Sequence, residues 1–427
     1  MSEYILILPA VFTFLAYRNR HNLIACFLYA FYALGSFTGY VLTQHELYPD
    51  MENVGNQPVS WQACIYLLVG CLILFYPVTS QKAPGVISAK VNYNNFSVVT
   101  YIFIILSFIF IAFAVPVMFS TMNATDFVAV KDDVMDHGFK LSDISIVETM
   151  TSYQVLLRPF FTFLFMYALC RIKGYRTMKV LLAVAVFLTP LAHSMAAAHR
   201  NIAVFAFLDI AVAFLLFYKT FPAKIRKTFI AGLSIAGGAV LLITVLFAVL
   251  RFTDGSEYVE YSLYRYLGEP FVDFNTLLWN TDVYTDGHKS FDYVRSLLGM
   301  SYYEDNVAIR ETFNAPYPVS FFYSIIGAFY MDFGPYIAML LLIIICVVFT
   351  WLLKMVFKRP SLSYYMLLYL YVSVTIQNYF YFVFMAQNNR NFIKMCIIYL
   401  ILIYFLKPAP ADERSVISSA NRKHTLS

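Results

Sequence analysis

Several charged side chains of this chain stand at the ends of apolar runs, or inside them, where charge is costly. Arg158 precedes Pro159, and His193, His199 and Arg200 bracket the short turn HSMAAAHRN. Asp209 falls near the middle of the next apolar run, Arg251 closes the one after, and Arg390 and Lys394 border a later turn. A charge at the centre of a lipid bilayer costs about 2.5–3.5 kcal/mol on insertion scales, so each such residue is a candidate for function. Guanidinium groups stay charged when partly dehydrated and grip phosphate oxygens bidentately. Arg158, Arg200, Arg251 and Arg390 all read as lying at one depth, a ring suited to a phosphate or pyrophosphate at a membrane surface. The competing reading is side chains that snorkel to headgroups. Asp209 reads as a buried partner of one of these cations.

A second group lies in residues 252–319, which hold eleven acids from Asp254 to Glu311 and only Arg265, Arg295 and Arg310 as arginines. Within it, YRYLGEPFVDFNTLLWN (264–280) carries Arg265, Glu269 and Asp273 among aromatic rings, and TDGHKSF (285–291) carries His288. Tyrosine and tryptophan faces stack on sugars, while arginine and carboxylates hydrogen-bond hydroxyls. A carboxylate or histidine in reach of a reacting hydroxyl can take its proton. An amphipathic interfacial segment with belt aromatics is the alternative. Gly268 and Pro270 predict a break in this stretch. The DDVMD run at 132–136 reads as a solvated acidic face. Without a Walker loop, HExxH, GxSxG or Cys/His cluster, no metal and no cofactor are expected.

The elements that must position these groups are apolar helices. The 427 residues are 60% hydrophobic and 13% charged, with a mean hydropathy of +0.67, against about 25% charge in an average soluble domain. Continuous apolar runs of about 20 residues imply an all-α polytopic integral membrane protein rather than a barrel. Eleven spans are predicted, at 3–17, 22–42, 60–78, 98–120, 153–171, 179–196, 201–218, 229–251, 320–353, 362–385 and 391–407. Glu3 precedes the first and Arg18 and Arg20 follow it, the reverse of a signal peptide.

Basic residues gather at alternate connections: Arg18 and Arg20, Lys82 and Lys90, Arg171 to Lys179, Lys219 to Lys227, Lys354 to Arg359, and the tail. By the positive-inside rule those are cytoplasmic, which puts the N-terminus outside and the C-terminus inside. Of the 25 acids only Asp412 and Glu413 fall on the cytoplasmic side. The predicted organisation is transmembrane helices 1–8 over 1–251, one large extracytoplasmic loop over 252–319, helices 9–11 over 320–407, and a cytoplasmic tail over 408–427. In PVSFFYSIIGAFYMDFGPYIAMLL (318–341), Gly334–Pro335 predicts a break that leaves a short helix feeding the ninth span. The net charge of +5 belongs to the cytoplasmic rims, where anionic headgroups attract it, and no nucleic-acid partner is implied. The six cysteines all lie in apolar runs, so no disulfide framework is expected outside.

The arginine after the HSMAAAH turn, the YRYLGEPFVDFN stretch and the FYMDFG pattern leading into a late helix together resemble the O-antigen polymerases, the oligosaccharide repeat-unit polymerases. The motif likeness covers residues 199–341 and the topology the whole chain. The resemblance implies a bacterial inner-membrane enzyme that works at the periplasmic face. It would transfer a growing glycan from undecaprenyl pyrophosphate to a new lipid-linked repeat unit, without a metal, beside a candidate chain-length regulator protein. It further implies Arg200 and Arg265 as first candidates for holding the pyrophosphate, with Arg251, Arg295 and His199 behind them. Glu269, Asp273 and His288 are the candidate bases, unranked, and the site is expected where Arg265 and Glu269 meet Arg200. An O-antigen ligase-like glycosyltransferase and a transporter of lipid-linked oligosaccharides remain the alternatives.

Overall fold

A computed structural model describes residues 2–44, 59–87, 89–122, 144–197, 200–251, 256–279, 281–301, 306–317, 319, 323–357, 361–380 and 386–407. Among these the chain is all-α, without a strand. The helices are α1 (Ile7–Arg18), α2 (Leu23–Gln44), α3 (Trp61–Thr79), α4 (Tyr93–Met122), α5 (Ser145–Arg171), α6 (Arg176–Ala196) and α7 (Arg200–Phe217). They continue with α8 (Ala223–Arg251), α9 (Ser256–Asp273), α10 (Asp292–Leu297), α11 (Asn306–Phe313), α12 (Ser324–Trp351), α13 (Leu362–Phe380) and α14 (Ala386–Phe405).

Each of the eleven expected spans overlaps a helix, and seven of these are long and apolar enough to cross a membrane: α2, α3, α4, α5, α6, α8 and α12. The others fall short for physical reasons. Helix α1 has 12 residues, about 18 Å at 1.5 Å per residue. The described parts of α7 and α14 are also short, and in α13 five buried tyrosines lower the hydropathy. Residues 132–136 and the tail from 408 lie outside the described residues.

Exposure separates an inner from an outer set. Helix α13 is buried on every side, from Leu362 to Phe380, and so is α5 from Pro159 to Ala168. A helix apolar all round belongs in the middle of its protein. Helices α8 and α12 instead turn Ile235, Leu241, Leu242, Leu340 and Val347 outward. Apolar faces this broad suit lipid rather than water.

Two helix breaks were predicted, and the structure keeps one. At Gly334 the backbone turns to φ 74°, ψ −177° inside α12. This is a left-handed φ that glycine tolerates, and Pro335 follows. The Tyr66 hydroxyl donates to the Pro335 carbonyl at 2.7 Å, which satisfies an acceptor near the kink. At Gly268–Pro270 there is no break: α9 runs through both and passes into a π turn at Phe274–Leu278. Tertiary packing overrides the local signal here. Gly268 lies against Gly39 of α2, and a Cβ on Gly268 would stand 2.5 Å from the Gly39 nitrogen.

The second half of α9 is therefore docked in the bundle. Phe271 packs against Phe12, Tyr32 and Tyr379, and the Tyr379 hydroxyl donates to the Leu267 carbonyl. Asn275 closes the contact at the start of α3: its Oδ1 accepts from the Ser60 amide at 2.8 Å and its Nδ2 donates to the Ser60 carbonyl at 3.1 Å.

Candidate functional site

Helix α9 sets the first group of candidates on one face, because residues four apart on a helix are neighbours. Nη2 of Arg265 lies 3.0 Å from Oε1 of Glu269. The Arg265 side chain is 35% exposed and that of Glu269 only 3%, so the arginine reaches from the surface to a covered carboxylate. Asp273, a turn further on, is fully buried. Tyr323 stands within Coulombic reach of Asp273 and Glu269.

The YRYLGEPFVDFN and FYMDFG stretches fold onto each other. The Tyr330 hydroxyl donates to the Trp279 carbonyl at 2.9 Å, and the Tyr330 ring meets Phe274 edge-on at 5.3 Å. Asp332 of the second stretch organises residues 285–291. Its Oδ1 accepts from the Thr285 hydroxyl at 2.5 Å and from the Lys289 amide at 2.9 Å, and the Thr285 amide donates to the Met331 carbonyl at 3.0 Å. Burial pushes the Lys289 ammonium down from 10.5 to about 7, with Asp332 pulling the other way. Tyr317 lies within Coulombic reach of Asp332 and of Tyr323, and its hydroxyl donates to the Val283 carbonyl at 2.9 Å.

His288 is buried in this loop core, its ring 5.3 Å from that of Phe313. Arg295 is used by the loop itself: Nε donates to the Ser301 carbonyl at 3.2 Å and Nη1 to the Asp286 carbonyl at 3.0 Å. Its role here is to clamp residues 286–301. Arg200 begins α7 and Arg251 ends α8, but their side chains, and His199 altogether, lie outside the described residues. Of the expected meeting of Arg265, Glu269 and Arg200, the structure describes the first two together.

A second polar site lies inside the bundle. Arg158, expected at the membrane boundary, stands mid-way along α5. The helix begins at Ser145, about two turns before the apolar run, because the polar SIVETMTS stretch is helical as well. Arg158 faces a cavity of about 350 Å³. Asp209 of α7 lines the same cavity and is its Coulombic partner. Asp209, expected to be the buried partner of a cation, is buried and within Coulombic reach of Arg158. The Ser373 hydroxyl of α13 donates to Oδ1 of Asp209, and the Gln377 amide donates to the Ser373 hydroxyl oxygen at 3.3 Å. His193 of α6 lines the cavity with its ring against Phe110 of α4, at 5.3 Å.

Reading charge along the chain finds Arg158, His193 and Asp209 but not Ser373 and Gln377. Neutral polar residues in an apolar run carry no distinguishing signal until a neighbour helix presents a charge. No family model, no curated protein and no solved structure matches this chain.

Proposed function

We propose that this chain is a lipid-linked oligosaccharide polymerase of the bacterial inner membrane. It would cross the bilayer with eleven helices, N-terminus out, and work on undecaprenyl-pyrophosphate-linked donor and acceptor glycans at the periplasmic face. The observation that carries this reading is the convergence of the YRYLGEPFVDFN and FYMDFG stretches on one another, with the edge-on contact of the Phe274 and Tyr330 rings at 5.3 Å as its centre. The stretches that resemble the O-antigen polymerases thus form one unit, and that unit holds the Arg265–Glu269 pair.

The chemistry follows from what glycosyl transfer demands. Negative charge grows on the pyrophosphate as the glycosidic bond breaks, and a fixed cation there stabilises the transition state. Arg265 is the described arginine of the α9 face that reaches the accessible surface. The acceptor hydroxyl gives up its proton to a carboxylate within hydrogen-bond reach. Glu269 lies beside Arg265 on the α9 face and is the first candidate on that ground, with Asp273 and His288 as the other candidates.

The test is elongation by the purified chain in proteoliposomes that hold a lipid-pyrophosphate-linked repeat unit. A ladder of products is expected from the wild type, and single-repeat material only from R265A and E269Q. Absence of any ladder from the wild type overturns the reading. One observation favours a second reading, a transporter of lipid-linked oligosaccharides: the charged cavity of Arg158 and Asp209 within the bundle. Movement of labelled lipid-linked sugar across the bilayer without elongation would select it.

A further inference from the structure

The cavity between α5, α7 and α13 has a composition that the pyrophosphate chemistry does not use. Its described charged lining is one arginine, Arg158, against two carboxylates, Asp209 and Glu148. His193 also lines it, and Lys394 of α14 stands over the Tyr153 ring at 5.7 Å. A phosphate group would meet more negative than positive charge here, so the lining opposes an anion. It is rich in groups that both give and take hydrogen bonds: Thr151, Ser373 and Gln377 join the charged residues.

Two of the polar atoms are covered and still unsatisfied. Nε of Arg158 and Oδ2 of Asp209 have no hydrogen-bond partner among the described residues, although Asp209 is only 2% exposed. A buried donor and a buried acceptor left so are costly, because each has lost its water without gaining a partner. A neutral ligand bearing adjacent hydroxyls satisfies both at once, because each hydroxyl donates and accepts. The ring of Phe110 supplies an apolar wall. The volume of about 350 Å³ lies within the range of about 300–1,000 Å³ usual for small-molecule sites, and it is room for a sugar ring rather than for a lipid-linked chain. The lining runs along α5 from Glu148, beside exposed Ser152, to Arg158. Ten residues of helix spread this lining over about 15 Å along α5.

We infer that this cavity is a binding site for an uncharged pyranose unit, held by Asp209, Arg158 and Gln377 through its hydroxyls. Its biological sense rests on the glycan-transfer reading: a terminal sugar of a lipid-linked glycan enters from the side where α5 begins. That is the side on which the charge pattern puts the large loop.

The test is saturation-transfer NMR on the full-length chain in nanodiscs. The probes are glucose, galactose, mannose and their 2-acetamido forms, with phosphorus line broadening of inorganic pyrophosphate as the anion arm. At least one sugar is expected to draw saturation from the protein, and to bind about tenfold more weakly to D209N and to Q377L, the loss of roughly 1.4 kcal/mol. Q377L, which keeps the size of the side chain, carries the comparison if D209N does not fold. The inference is overturned if no sugar of the panel binds, if both folded variants bind as the wild type does, or if pyrophosphate binds and R158Q abolishes it. Elongation is scored separately in the same discs. Sugar binding lost in Q377L, with no elongation by the wild type, upholds the site and removes the polymerase reading. Elongation and sugar binding both intact in Q377L do the reverse.

Discussion

Gly268 of α9 and Gly39 of α2 cross with their backbones in contact: a Cβ on Gly268 would stand 2.5 Å from the Gly39 nitrogen, and one on Gly39 would stand 3.1 Å from the Gly268 carbonyl oxygen. This crossing lets α9 enter the bundle and carry Glu269 and Asp273 to covered positions. Backbone cannot move aside as a flexible side chain can. G268A is therefore expected to destabilise the protein by about 1–3 kcal/mol, the cost of overpacking, and G39A by less. Thermal unfolding in detergent measures both. Equal and negligible effects would show that α9 does not dock here.

The Arg265–Glu269 pair makes an asymmetric prediction. R265M leaves a covered carboxylate without its cation, whereas the double change R265M/E269Q removes the charge as well. A hydrogen bond to a charged group contributes about 1.5–3 kcal/mol, reduced here because Arg265 is 35% exposed and so partly screened. R265M is expected to be less stable than the double variant. A double-mutant cycle read by chemical unfolding checks the order, and additive effects would mean that the pair is uncoupled.

Lys289 gives a pH dependence. Its pKa falls on folding from 10.5 to about 7, so between those values the unfolded chain holds more protons than the folded one. Stability then rises with pH across that window, and the cost of the buried ammonium is present in full below about 7. K289M removes the cost at neutral pH. The stability advantage of K289M over the wild type is expected to be largest near pH 7 and to shrink towards pH 10. An advantage that does not vary with pH would show that the ammonium is not the cause.

At Gly334 the constraint is conformational as well as steric. Its φ is 74°, and a Cβ would stand 2.9 Å from Cζ of Tyr284. G334A is expected to cost about 1–3 kcal/mol, combining strain in the left-handed region with displacement of the Tyr284 ring. Hydrogen exchange in 281–291 should accelerate, because that segment hangs on Asp332 two residues before the kink. Unchanged protection there would separate the loop from the kink.

D332N tests the anchor directly. The amide oxygen can keep both contacts, since the Thr285 hydroxyl and the Lys289 amide donate to the same Oδ1, but the charge that faces Lys289 is lost. Faster exchange at 285–291 is the expected result, with the core of α13 unaffected. Protection lost equally in both places would indicate global unfolding instead.

The sequence by itself determined what depends on near neighbours. Apolar runs of membrane length decide that the chain is helical and where seven long apolar helices lie. Gly334–Pro335 breaks α12 through its own dihedral angles. The spacing of Arg265 and Glu269 makes them partners as soon as α9 is a helix. Tertiary structure decided the rest, because the deciding atoms lie far apart in the chain. Gly268 and Pro270 look like a helix breaker until Gly39 offers a surface that only glycine can approach. Asp209 finds Ser373 at a separation of 164 residues. Arg158 becomes a cavity residue because α7 and α13 bring Asp209, Ser373 and Gln377 to line the same space. Local periodicity records which way a side chain leaves its helix. Which helix receives it is settled by packing, where the cost of an unpaired buried charge selects a partner from anywhere in the chain.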